Sequence, residues 1–242
     1  MAPKKQENNI FKKAIFRIDC REIDLSQIKA FSDSIKEEFP FSEKKEEKIL
    51  SIDINTQNFQ QDNVVPIWKI SNKLNTKIIT ITPTSLSIEY LKYKNFNELL
   101  LDISKAENFL KDSGVKTVTK VGLRQINEIK NTKKDFLNWG EYIEDSFIEN
   151  LNFIDSKNKK IARAMSQIIF KDEIGNINLN YGIWNSNFPN EIIEKIFVLD
   201  IDVRSQFPIS IDELDIELIK SYNEKIREIL DLTVKEALKG VI

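Results

Sequence analysis

Two short runs of alternating charge are the residues of this chain best suited to chemistry. Asp200 and Asp202 are followed by Arg204 in the run Leu199-Asp200-Ile201-Asp202-Val203-Arg204, and Arg17, Asp19 and Arg21 alternate with Ile18 and Cys20 near the start. On a strand, residues two apart share a face, so each run sets its charges on one side and its apolar residues on the other. Asp200 and Asp202 then stand about 7 Å apart along the strand. That arrangement suits a hard divalent cation, Mg²⁺ or Mn²⁺, shared with substrate phosphates. The arginines suit bidentate capture of phosphate or carboxylate. Arg124, in Val121-Gly122-Leu123-Arg124-Gln125-Ile126-Asn127, is a further member if its strand neighbours the other two. The set Arg17, Asp19, Arg124, Asp200, Asp202 and Arg204 is therefore the candidate binding face, with Asp200 and Asp202 as candidate metal ligands. The alternative reading is a solvated sheet face of cross-strand Asp–Arg pairs, each worth roughly 0.2–1 kcal/mol.

Much other chemistry is excluded. The 242 residues contain no histidine and one cysteine, Cys20. This removes Ser-His-Asp and Cys-His catalysis, His-ligated metals and disulfide frameworks. Six glycines form neither a dinucleotide fingerprint nor a P-loop. The formal net charge of −2 gives no global pull toward nucleic acid. Cys20, in an apolar-alternating stretch, reads as a buried thiol of a reducing cytoplasm. Residues 1–9 are polar and lack the apolar core of a signal peptide, so they read as a flexible tail. No run approaches the ~20 apolar residues of a membrane span.

The elements that must position the charges follow from periodicity. Strands are expected at 14–21, 49–55, 64–72, 76–82 and 85–92, with a helix at 25–39 stopped by Pro40 and a second at 96–110. Residues 42–48 read as a charged loop and 56–63 as a polar connection. The pattern then restarts. Strands are expected at 115–130, 160–171, 176–184 and 195–205, and helices at 136–154 and 212–238. The order β-α-β4-α followed by β-α-β3-α predicts an α+β fold built by internal duplication. Its units are 10–114 and 115–242, packed as one body. The topology resembles the TATA-binding-protein-like fold, an antiparallel curved sheet with helices on one face.

Three further features have bland readings beside functional ones. Gly122 inside a strand marks a bend or a close approach. Trp68, Tyr90, Tyr93 and Phe96 suit core packing better than base stacking. The lysine doublets, such as Lys12-Lys13 and Lys44-Lys45, are solubilising surface unless they converge.

From Gly122 to Asn127 the sequence resembles an uncharacterised, sporadically distributed bacterial protein family. The likeness extends to Phe39-Pro40, to Trp68 through Ser71, to Tyr93-Lys94-Asn95-Phe96 and to Leu199 through Asp202. Lys120 and Gln125 depart from it, standing where an arginine and an aromatic are common. The resemblance brings no established activity. Its scattered occurrence implies mobile genetic islands, where antiviral defence genes gather.

The expectation is a non-catalytic cytoplasmic binding protein without a cofactor that meets a protein partner or a second copy of itself. One alternative is a metal-dependent enzyme acting on a phosphate ester or nucleotide through Asp200 and Asp202. Another is nucleic-acid binding on the sheet face.

Overall fold

The alternation near the start produces what a period of two requires: Ala14, Phe16, Ile18 and Cys20 are buried, while Arg17 is exposed. These residues belong to β1 (Ile10–Cys20) in a computed structural model that describes residues 10–53, 58–130, 139–149, 151, 162–194, 196–236 and 238. The described residues form an α+β fold of ten strands, mostly antiparallel, and three α-helices. No described helix is long and apolar enough to cross a membrane.

Two compact units share the chain. One comprises 15–122 and 205–219; the other comprises 1–14, 123–204 and 220–242.

In the first unit the strand order is β2 (Phe41–Asp53), β3 (Asn58–Ser71), β4 (Lys77–Thr82), β5 (Ser85–Tyr90), β1 and β6 (Thr117–Lys130). The ladders β2–β3, β3–β4 and β4–β5 are antiparallel. The short β10 (Ile209–Ser210), missed in the periodicity, also pairs with β6. The sequence placed a loop at 42–48, but these residues lie in β2. Glu43, Lys44, Lys45, Glu46 and Glu47 carry no hydrophobic period, so only the ladder to β3 reveals the strand. Such a charged end strand resists unwanted pairing. The polar connection expected at 56–63 is likewise strand from Asn58 onward.

The helix expected at 25–39 is shorter. A 3₁₀ turn, Leu25–Gln27, is capped by Asp24 and leads into α1 (Ile28–Ser34). Beyond Ser34 the chain makes turns, with the amide of Phe39 bonded to the carbonyl of Ile35. Ile35 and Phe39 remain buried, so helical spacing outlasts the helix.

α2 (Phe96–Asp112) starts at Asn95, whose side chain accepts from the amide of Asn97. It buries Leu99, Ile103, Ala106 and Leu110, and also one carboxylate, Asp102. Asp102 accepts from the hydroxyl of Tyr90 at 2.5 Å and from the ammonium of Lys77 at 3.3 Å. Lys77, itself buried, also reaches Glu98 at 2.7 Å and Glu38. Lys105 closes the network on Asp102 and Glu38. Burial alone would lower the Lys77 ammonium, but hydrogen bonds to Glu38, Glu98 and Tyr90 and the charge of Asp102 raise it well above the ordinary lysine value. Burial and Asp102 push the Tyr90 phenol well up. For Glu38, burial acts upward, and Lys105 and Lys77 overcome it and hold the carboxyl low.

In the second unit the order is β6, β9 (Ile196–Arg204), β8 (Gly175–Trp184) and β7 (Ala164–Asp172). The ladders β7–β8 and β8–β9 are antiparallel. The closing helix is shorter than the expected 212–238. Ser210 and Glu213 form a capping box on a 3₁₀ turn, and Asp215 then accepts from the amide of Leu218 to open α3 (Ile216–Thr233). Tyr222, Ile226 and Ile229 of its stripe are buried, and burial pushes the Tyr222 phenol up to about 12.

The helix expected at 136–154 is not continuous where it is described: Glu149 and Leu151 are helical, but residues 139–147 form no α-helix. Trp139, Ile143 and Phe147 have helical spacing, but one turn after Trp139 the chain bridges Ile143 to Val234 and makes a 3₁₀ turn at Asp145–Phe147. Backbone bonds from Glu144 to Thr233 and from Lys235 to Tyr142 replace the helical ones. Residues 131–138 and 152–161 of that region lie outside the described residues.

Two outcomes follow from the Lys77 network. Asp102→Ala leaves Lys77 without its most buried partner and is expected to lower unfolding stability by about 3 kcal/mol in urea titrations. The melting temperature is expected to hold a plateau across neutral pH. It falls below pH ~4 as Glu38, low in the folded state, takes up its proton. It falls again above pH ~10, where Tyr90 and Lys77 titrate in the unfolded chain before the folded one. Tyr90→Phe makes the alkaline decline shallower.

Candidate functional site

β9 departs from the expected alternation. Ile196 through Val203 are buried without interruption, so both faces of the strand are covered, and Asp200 and Asp202 lie among them. The solvated face expected for the two carboxylates is not what β9 offers. A buried carboxylate needs a partner, and each has an arginine. Arg124 of β6 grips Asp200 with two parallel bonds, Nε to Oδ1 at 2.6 Å and Nη2 to Oδ2 at 2.7 Å. Arg204 pairs with Asp202 through Nη2.

The Gly122–Asn127 stretch ties β6 to β9 from both faces. Arg124 reaches Asp200 on one face. On the other, buried Asn127 accepts from Gln125 at 2.9 Å and donates to the carbonyl of Leu199 at 3.4 Å. Gly122 is buried within β6.

The Asp200 pair is one end of a polar rung that crosses three strands. In register, Asp200 faces Asn180 of β8, and Asn180 faces Gln167 of β7. Gln167 donates to Asn180 at 2.9 Å, and Asn180 donates to Asp200 at 3.4 Å. The next rung is apolar: Met165 faces Gly182, and Gly182 faces Val198. Gly182 has φ +135°, and a Cβ there would stand 2.1 Å from the carbonyl oxygen of Ala164. The middle of the apolar rung is therefore bare backbone. A third group stands beyond it. The guanidinium of Arg163 lies 3.9 Å from the ring centre of Trp184, and Lys13 pairs with Glu128 at 2.7 Å. Arg124, Asp200, Asn180, Gln167, Met165 and Val198, with Arg163, Trp184, Lys13 and Glu128, line a pocket of about 550 Å³, within the usual range for small-ligand sites.

Arg124 and Asp200 are the two sequence-expected residues that line this pocket. Asp202 and Arg204 sit one and two rungs further along β9, opposite Asn178 and Asn176. Arg17 and Asp19 belong to the other unit, where they pair with each other at 2.8 Å as an exposed i,i+2 couple. Pairs of that kind contribute under about 1 kcal/mol. Tyr90 is core, as its aromatic reading proposed. Cys20 is buried, and burial together with the charge of Asp19 pushes its thiol up to about 11, away from nucleophilic use. Of the lysine doublets, Lys44 sits over the Trp68 ring and Lys45 pairs with Glu43.

The Mg²⁺ or Mn²⁺ reading meets occupied ligands. Both oxygens of Asp200 already accept from Arg124, and a cation would have to displace that bidentate contact. Among the described residues no group of three or more carboxylates and thiols is placed to hold a metal.

Sequence reasoning missed Lys13, Glu128, Arg163, Gln167, Asn180 and Trp184. The one signal for them was Gly182, a glycine between Tyr181 and Ile183 in an apolar strand, the same mark noted at Gly122.

Among the described residues β7 ends the strand order of this unit and pairs with β8 alone. Ile168, Ile169 and Phe170, consecutive on it, are 42%, 66% and 37% exposed. Comparison with known protein families and with curated proteins gives no match to this chain.

Gly182→Ala is expected to lower unfolding stability by about 1–3 kcal/mol, the cost of strained backbone, and to weaken amide-exchange protection along β7 selectively. Denaturant titration and hydrogen exchange measure the two effects.

Proposed function

We propose that this chain is a non-catalytic interaction protein whose β7 edge pairs with β7 of a second copy. The observation that carries the reading is the run of three exposed apolar residues, Ile168, Ile169 and Phe170, on a strand with one hydrogen-bonded side. An open apolar edge is a template for another strand, and proteins that do not use such edges blunt them with charge. The contrast with the lysine- and glutamate-rich β2 is direct.

A second copy fits the sequence of the edge. In an antiparallel pair centred on Ile169, Ile168 opposes Phe170, Gln167 opposes Lys171 and Ser166 opposes Asp172. Apolar meets apolar at the centre, and no like charges face each other. The non-catalytic part rests on the neighbouring pocket. Its two carboxylates, Glu128 and Asp200, are both bound by cations, which suits recognition better than proton transfer.

The proposal keeps the expected internal duplication. In support, β1 neighbours β5 and β6 neighbours β9, so in each half the first strand lies beside the last strand of the meander. The resemblance noted in the sequence adds a setting, a cytoplasmic component of a bacterial mobile-island or defence system.

Sedimentation equilibrium of the full chain tests the pairing. The expected result is a monomer–dimer equilibrium that Ile169→Lys shifts to monomer without changing the melting temperature. A wild-type chain that stays monomeric at every concentration, or an Ile169→Lys variant that still dimerises, overturns it.

A further inference from the structure

The pocket on β6, β9, β8 and β7 has a charge imbalance that its shape turns into a preference. Among the described residues three cations and two carboxylates line it. Lys13 is answered by Glu128 and Arg124 by Asp200. Arg163 has no carboxylate partner among the described residues. Its contacts are aromatic, Trp184 at 3.9 Å and Phe188 at 5.9 Å. Stacking of this kind contributes about 0.5–2 kcal/mol and fixes the plane of the guanidinium while its N–H groups stay available. Such an arginine is a preformed fork for one phosphate or carboxylate.

Beside it the pocket is lined by the apolar side chains of Met165, Val198 and Ile126. Together they offer an apolar floor against which a flat ring can pack. Beyond the floor stands the amide pair Gln167 and Asn180. Their mutual bond and the bond to Asp200 use one Gln167 N–H, the Asn180 oxygen and one Asn180 N–H. The Gln167 oxygen, its other N–H and the second Asn180 N–H are left to read the edge of a heterocycle.

We propose that this pocket binds a nucleoside monophosphate, with the base against Met165, Val198 and Ile126, its edge on Gln167 and Asn180, and the phosphate on Arg163. A single uncompensated cation matches a single phosphate. A triphosphate would bring further charge toward Glu128 and Asp200 and is disfavoured. The inference goes beyond the β7 pairing and does not depend on it.

Isothermal titration calorimetry of the full chain tests it with a panel of ribonucleoside monophosphates, the matching nucleosides and inorganic phosphate. The expected result is saturable binding of at least one monophosphate, about tenfold or more tighter than its nucleoside or inorganic phosphate. Arg163→Ala, at an exposed position, is expected to weaken that monophosphate about tenfold and to leave the nucleoside unchanged, with urea unfolding confirming that the variant is folded. Overturning results are an absence of saturable heat from every monophosphate, and undiminished binding by Arg163→Ala.

Discussion

A carboxylate in a strand covered on both faces has to bring its own counter-charge, and β9 carries two of them. Eight consecutive residues of β9 are buried, and desolvating an ion costs several kcal/mol after relaxation. Arg124 answers for Asp200, which fixes β6 as the neighbour of β9 at one register. Asn127 confirms that register from the opposite face through the carbonyl of Leu199. Once β6 and β9 are locked, Asn180 and Gln167 extend the polar rung across β8 and β7. The apolar side chains of Met165 and Val198 and the stacked Arg163 then fall beside it. The pocket is thus a by-product of satisfying one buried charge.

The other unit solves a similar problem without creating a site. Lys77, Asp102 and Tyr90 are all buried and all satisfied by one another, with Glu38, Glu98 and Lys105 closing the outside. That network faces inward between β4, β5 and α2 and serves to hold the helix on its strands. The difference between the two units lies in exposure rather than in composition. Arg124 is partly exposed over a hollow, whereas Asp102 is sealed.

Much of the secondary structure was legible because burial imposes periods. β1, β4 and β5 alternate as read, and α2 begins and ends within two residues of its expected bounds. The failures share one cause, a pattern decided by partners far away in sequence. β2 is a strand because β3 pairs with it, while its own charges have no period. Trp139 and Ile143 have helical spacing, but Ile143 is bridged to Val234 and Trp139 packs on Phe197. Asp200 and Arg124 were legible as chemistry-bearing residues. Their contact, 76 positions apart in the chain, was conditional on a strand order that local sequence does not encode. Arg163 and Trp184 gave no local sign, since an isolated arginine and tryptophan acquire meaning only when the β7–β8 ladder aligns them.

The way the chain divides between its two units has a consequence for synthesis. The strand residues up to Ala14 are made before the rest of their unit, whose remaining segments begin at Leu123 and end beyond Lys220. Contacts of such long separation form slowly, because loop-closure entropy is spent before the packing that rewards it. On the ribosome, β6 emerges well before β9, and its Asp200-seeking arginine waits through more than seventy residues of translation. The 15–122 segment can meanwhile collapse around β3, β4, β5 and α2, since these elements are local to one another. Residues up to Ala14 are therefore among the last of these elements to reach their final neighbours, although they leave the ribosome before them.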